Sequence, residues 1–175
     1  MRIGTRRELG MTVVLWLASA VSGAILFWLV QTLSGGPTIP DFMGEQIVAG
    51  GDYPRTLAAA IGWAVHLGVS LSYALLVAVI AVALTRLSFR VAALVSLVAV
   101  LVLAWVTALI APPAISVTIS LLTGQGWPQE LFPLNTELGM PFWNHVSFFL
   151  LGWIVQVIGP RVLRTGCGTL GECRE

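Results

Sequence analysis

Four long apolar stretches alternate with short polar segments along the chain, and each stretch is long enough to cross a bilayer. A transmembrane helix needs about 20 predominantly apolar residues, because the hydrocarbon core is about 30 Å thick. Backbone polar groups inside lipid must be satisfied within their own segment, so these runs predict α-helices. The pattern predicts an all-α polytopic membrane protein, a four-transmembrane-helix bundle with spans at residues 11–33, 57–84, 91–111 and 141–160.

The composition supports the same class. Hydrophobic residues make up 57 % of the 175 residues and charged residues only 10 %, and the mean hydropathy is +0.92. A soluble domain of this size has too much surface for so little charge. The net charge of +1 also excludes a strongly basic nucleic-acid binder. The whole chain, residues 1–175, is therefore expected to be one integral membrane domain whose main partner is the lipid bilayer.

The distribution of charge predicts an orientation. Eight of the nine basic residues, all arginines, precede the first span, link the second to the third, or follow the fourth. They are Arg2, Arg6, Arg7, Arg86, Arg90, Arg161, Arg164 and Arg174. The positive-inside rule then predicts cytoplasmic termini, with outer loops at 34–56 and 112–140 and a cytoplasmic tail at 161–175. Cys167 and Cys173 lie in that tail, where a reducing cytoplasm would keep them as free thiols.

Two stretches of these loops have a predicted local structure. Pro40 and Asp41 are typical of a helix start, with Asp41 as N-cap or first-turn anion, and predict a short helix along the interface. Residues 112–122 are apolar but too short for a fifth span. They either extend the third helix, re-enter the membrane or lie at the interface. The prolines Pro112 and Pro113 favour a break or a kink there.

The only two histidines of the chain, His66 and His145, both fall within predicted spans. Ionisable groups inside a span usually face the bundle interior. Ser70 and Tyr73 follow His66 at helical spacing, and Asn144 directly precedes His145. These five residues predict a polar pocket near the outer leaflet.

Small residues predict where helices approach closely. Ala64, Gly68 and Ser72 form a small-xxx-small ridge along the second span, and Ser19 and Gly23 form one on the first. His66 projects from a different face than the ridge of its own span.

Several functions remain open at this stage. The histidines serve helix packing, or they ligate a haem or a transition metal, the latter together with Asp41 or Glu45 from the outer loop. A third reading is a proton-linked or small-molecule site. An oligomeric transporter or channel component is a further alternative, although four spans are few and no inverted repeat is present. Neither outer loop carries a nucleotide, phosphate or protease motif.

The layout resembles a known family. It combines the loop pair Pro40 and Asp41, the His66, Ser70 and Tyr73 stripe, and a fourth span that opens at Trp143, Asn144 and His145. In these features the chain is similar to the uncharacterised YagU-type small four-span proteins of the bacterial inner membrane. The resemblance implies a multi-pass inner-membrane protein and brings no activity, substrate or cofactor with it. The expected function is non-enzymatic, with a ligand or a partner membrane protein at the pocket and homo-oligomers as a further option.

Overall fold

The computed structural model describes residues 6–160 and contains five α-helices in that range. They are α1 (Arg6–Leu33), α2 (Ile39–Gly50), α3 (Ala58–Ala83), α4 (Phe89–Leu122) and α5 (Met140–Trp153). A 3-10 turn, Arg55–Leu57, leads into α3, and a π-helical segment, Ile154–Ile158, continues α5. The described part of the chain contains no strand. The all-α prediction is confirmed for this part of the chain, and four of its helices are long and apolar enough to cross a membrane.

Helix α4 is much longer than the predicted third span, because it continues past Pro112 and Pro113 to Leu122. Of the three alternatives for residues 112–122, the structure has the helical extension. The helix is not broken at its prolines, so of the predicted break or kink the break is wrong and the kink stays a prediction. The loop that follows therefore begins at residue 123 rather than at 112. Pro113 has no N–H to give to the carbonyl of Leu109, and the backbone N–H of Asn135 donates to that carbonyl at 3.0 Å instead. The proline thereby attaches the loop to the helix.

Side-chain hydrogen bonds cap the N-terminus of α2. The hydroxyl of Thr38 accepts from the backbone N–H of Asp41 at 3.3 Å and donates to its carboxylate at 2.6 Å. The side chain of Gln31, from α1, accepts from the N–H of Ile39 at 2.9 Å. Thr38 is thus the N-cap, and Asp41 is the acidic residue of the first turn. Asp41 is predicted as the N-cap or as a first-turn anion, and only the first-turn role is found.

Helix α2 packs on α3 backbone to backbone. A Cβ on Gly62 would overlap the carbonyl of Pro40, and a Cβ on Gly44 would overlap the carbonyl of Ala58. Both glycines are needed because only a residue without a Cβ allows so close an approach. Met43 and the other inward residues of α2 are buried. The predicted short helix is confirmed and its apolar face covers α3, while its position relative to the membrane interface stays a prediction.

The small-residue ridges have two different outcomes. Gly23 of α1 contacts the ring of Phe148 on α5, so this ridge does bring two helices together. The ridge of the second span instead faces out of the bundle, because Ala64, Gly68 and Ser72 are exposed and a Cβ on Gly68 would meet nothing within 4 Å. The prediction that this ridge packs against another helix of the chain is wrong.

Orientation and tail chemistry stay predictions. Half of the eight arginines that set the orientation lie outside the described residues, including Arg2 and Arg161, and so do Cys167 and Cys173. We refer below to the end of the bundle that carries α2 as the α2 end.

The close packing of α2 on α3 predicts a sharp contrast between two glycines of the same helix. We expect Gly62→Ala to lower the unfolding free energy by about 1–3 kcal/mol, because the new methyl group must push α2 away. Gly68→Ala should change it by less than about 0.5 kcal/mol, since the site is open. Titration with SDS in mixed micelles measures both. Equal effects would contradict the backbone-to-backbone packing.

The role of Pro113 is testable by hydrogen exchange. Pro113→Ala restores an N–H that competes for the Leu109 carbonyl, so the amide of Asn135 loses a hydrogen bond worth about 0.5–1.5 kcal/mol. Its exchange should rise about 2- to 12-fold. Pro112→Ala is the matched control, because its N–H would face the carbonyl of Ala108 instead. Unchanged exchange at Asn135 in Pro113→Ala would refute this role.

Candidate functional site

A cavity of about 100 Å³ lies inside the α2 end of the bundle, with walls from all five helices. Its polar lining residues are His66, Ser70 and Tyr73 of α3, Thr118 of α4 and His145 of α5. His66 is eight residues from the start of α3 and His145 five from the start of α5, about 12 Å and 8 Å along the helices. The structure thus places four of the five predicted pocket residues around one space.

Each imidazole is held by a backbone carbonyl of the bundle. Nε2 of His66 lies 3.1 Å from the carbonyl oxygen of Ala24 on α1, and Nδ1 of His145 lies 2.7 Å from that of Pro141 on its own helix. A carbonyl oxygen only accepts, so these nitrogens carry the protons. In the neutral rings, the other nitrogens, Nδ1 of His66 and Nε2 of His145, are bare acceptors. Neither has a hydrogen-bond partner among residues 6–160.

Aromatic contacts fix both rings around one phenylalanine. The ring centroid of Phe27 lies 5.5 Å from that of His66 and 5.3 Å from that of His145. Both imidazoles are buried, at 6 % and 5 % exposed. Tyr73 adds a further contact, with its ring 6.1 Å from the imidazole of His145. The two imidazoles therefore occupy one layer of the bundle and neither faces lipid.

Two of the three hydroxyl groups of the cavity, those of Ser70 and Tyr73, are also unpaired, whereas Thr118 donates to the carbonyl of Ala114 at 2.8 Å. Most serines and threonines of the spans donate to a carbonyl of their own helix, as Ser72 does to Gly68 at 3.0 Å. Ser70 and Tyr73 make no such bond within the described chain, although Ser70 is only 3 % exposed. Their oxygens line the cavity and are not enclosed by protein, since the fully buried side-chain atoms without a partner in the described chain belong to Asn135 and Asn144. Together with the two bare ring nitrogens, the two hydroxyls form a set of four groups that a ligand or waters can satisfy.

The fifth predicted residue, Asn144, does not line the cavity. Consecutive side chains of a helix point about 100° apart, so Asn144 lies on a different face of α5 than His145. Its side chain is 0 % exposed. Neither its oxygen nor its nitrogen has a hydrogen-bond partner in the described structure. Its position next to His145 in the sequence therefore does not bring it into the same site.

The proposed metal set is not assembled. Asp41 and Glu45 are exposed on α2, and the carboxylate of Asp41 accepts from Thr38. Among the described residues, no three side chains of His, Cys, Asp or Glu lie close enough to hold a metal ion together. Any metal at His66 and His145 would need its remaining ligands from elsewhere.

Several lining residues were not predicted from the sequence. Helix α2 contributes Ile39 and Met43, and the extended part of α4 contributes Ala111, Ala114, Ile115 and Thr118. The sequence did predict α2, from its helix-start pattern and apolar residues. It did not predict that the apolar face of α2 packs on α3. The signal for α4 was the apolar run after its prolines.

A second polar cluster lies deeper in the bundle. The side-chain amide of Gln156 donates to Ser19 Oγ on α1 at 2.7 Å and to the carbonyl of Ala74 on α3 at 3.0 Å. Gln156 belongs to the π-helical segment of the fourth span, a type of distortion that often marks a functional or strained position. Here it joins three helices.

Comparison with known proteins gives no relative. The chain matches no protein-family model, no curated protein and no solved structure. The site must therefore be interpreted from its own geometry.

Replacing each of the two buried amide side chains of the fourth span by leucine should have different effects on the unfolding free energy. Gln156→Leu should lower the unfolding free energy by about 1–3 kcal/mol, because it leaves the carbonyl of Ala74 and Ser19 without their donor. Asn144→Leu should be neutral or stabilising, since Asn144 has no partners to lose. SDS titration compares the two variants. A loss in Asn144→Leu as large as in Gln156→Leu would show that Asn144 is hydrogen-bonded.

Proposed function

We propose that this chain is a non-enzymatic, multi-pass protein of the bacterial inner membrane that binds a small molecule in the cavity at the α2 end. On the charge distribution of the sequence, that end faces the outer leaflet and both termini are cytoplasmic. The observation that carries the proposal is the set of four unpaired polar groups, on His66, Ser70, Tyr73 and His145, in one buried space.

Convergent polar groups in an otherwise apolar cavity are the usual composition of a small-molecule site. Helix packing alone does not account for them. Each histidine already has a carbonyl partner through one nitrogen, and the second nitrogen contributes nothing to packing. The acceptor nitrogens and the hydroxyls of Ser70 and Tyr73 face the cavity instead, where a ligand can pair with them.

The alternative is a haem or transition-metal site on His66 and His145. One observation favours it: metal-ligating histidines commonly donate their other N–H to a backbone carbonyl, as both do here. A visible spectrum and elemental analysis of the purified protein separate the two. A Soret band, or iron, copper or zinc at one equivalent, would favour the metal site. A transporter or channel assembled from several copies remains a further proposal.

The small-molecule site predicts that the cavity admits a small reagent. We expect Ser70→Cys, in a background with Cys167 and Cys173 changed to serine, to react with methyl methanethiosulfonate in lipid nanodiscs. Ser96→Cys is the matched control, because Ser96 is equally buried at 1 % exposed but lies outside the cavity, where Trp153 donates to it. The rate at Ser70→Cys should exceed the control rate at least about 10-fold, as followed by mass spectrometry.

The same experiment can refute the proposal. If both cysteines are equally inert, the cavity is closed to molecules of that size and the four polar groups serve the fold alone.

A further inference from the structure

The cavity opens sideways, between α3 and α4. The lining residues that are exposed belong to these two helices: Val69 of α3 is 41 % exposed, and Ala114 of α4 is exposed as well. The lining residues of α1 and α5, Phe27 and His145 among them, are buried. The mouth of the cavity therefore lies on the side of the bundle that α3 and α4 form.

If α3 and α4 cross the membrane as their length and composition predict, this mouth faces hydrocarbon rather than water. Val69 lies 11 residues after the start of α3 and Ala114 lies eight residues before the end of α4, about 17 Å and 12 Å along the helix axes. Both positions fall within helices long enough to span the membrane. No Asp, Glu, Lys or Arg lines the cavity in the described chain. A molecule dissolved in the bilayer can thus reach the cavity without crossing a polar surface.

The polar groups specify the chemistry of the ligand. Nδ1 of His66 and Nε2 of His145 are acceptors, because the opposite nitrogens donate to carbonyls. A ketone or an ether would leave both acceptors unpaired, which is costly in a buried site. A hydroxyl group has one proton, so it donates to one of the two imidazoles, and its oxygen can also accept from Ser70 or Tyr73. A ligand with one hydroxyl therefore satisfies one acceptor, and a second hydroxyl would satisfy the other. A charged headgroup is disfavoured, since no opposite charge lines the cavity and an unpaired buried charge is expensive.

The size of the cavity limits the group that it holds to one ring at most. Its volume is about 100 Å³, and an apolar cavity of about 150 Å³ binds benzene in another protein. Phe27, Tyr73 and Phe148 supply aromatic walls. A longer molecule must therefore leave part of its length in the opening between α3 and α4.

We infer that the ligand is a lipid-dissolved amphiphile with a hydroxyl-bearing ring, whose ring occupies the cavity and whose alkyl chain extends between α3 and α4 into the bilayer. This inference rests on the proposed small-molecule site and adds its ligand class and its access route. An alkylphenol is the simplest compound of the class.

A matched pair of compounds tests the ligand class. We would measure binding of tritiated 4-octylphenol to the full chain in nanodiscs, subtract partition into empty nanodiscs, and compete with unlabelled 4-octylphenol or 4-octylanisole. The two compounds differ only in the methyl group that removes the donor. We expect the phenol to bind at least about 10-fold more tightly than the anisole. In His66→Phe, which keeps an aromatic ring beside Phe27 but removes one acceptor, this ratio should fall at least about 3-fold.

A matched pair of variants tests the access route. Val69→Trp places a large side chain in the mouth and should weaken binding of 4-octylphenol at least about 5-fold. Val79→Trp is the control, because Val79 is also exposed on α3, at 57 %, but lies outside the cavity, and its binding should equal that of the unmodified chain.

The possible results distinguish an error in the proposed site from an error in its ligand class or its access route. If neither compound binds above partition, the proposed small-molecule site is itself wrong. If both bind equally, the site stands and the hydroxyl-bearing ligand is refuted. If the phenol is preferred but Val69→Trp has no more effect than Val79→Trp, the sideways route is refuted.

Discussion

The packing of α2 on α3 through two glycines is the constraint on which the rest of the α2 end depends. Gly44 and Gly62 let the two helix backbones meet, and this contact brings Ile39 and Met43 over the space between α1, α3 and α5. Without it, α2 would be an exposed surface helix and the histidines would lie under an open groove. The position of a 12-residue helix therefore decides whether the chain has an enclosed cavity.

Hydrogen bonds to backbone carbonyls determine what this cavity can recognise. The same rule that forces spanning segments to be helical, that polar groups in lipid need internal partners, assigns one nitrogen of each imidazole to a carbonyl. In each imidazole, one nitrogen has its partner within the protein and the other nitrogen is left for a ligand. The two acceptors and two hydroxyls border one cavity, whereas the amide of Asn144 is fully buried, unpaired and outside it. An unpaired polar group therefore marks a candidate site here where it also borders a space that a ligand can enter.

The sequence predicted the helices better than their contacts. The four spans and the inward stripe of His66, Ser70 and Tyr73 follow from apolar length and helical spacing, which are local properties. The position of Asn144 did not follow, because adjacency in a helix separates side chains by about 100°. The extension of α4 past Pro113 could not be predicted either, since the partner that replaces its lost hydrogen bond, Asn135, is 22 residues away in a loop. Close contact at Gly62 depends on a second helix and carries no local signal that sets it apart from Gly68.

The central claim is that two neutral imidazoles present bare nitrogens to one cavity, and nitrogen-15 NMR of the histidine side chains in lipid measures this most directly. With only two histidines in the chain, every signal is assignable by one substitution. The account predicts opposite tautomers at neutral pH, with the proton on Nε2 in His66 and on Nδ1 in His145, and one unprotonated nitrogen in each ring. Two rings in the same tautomer, or a ring protonated on both nitrogens, would contradict it.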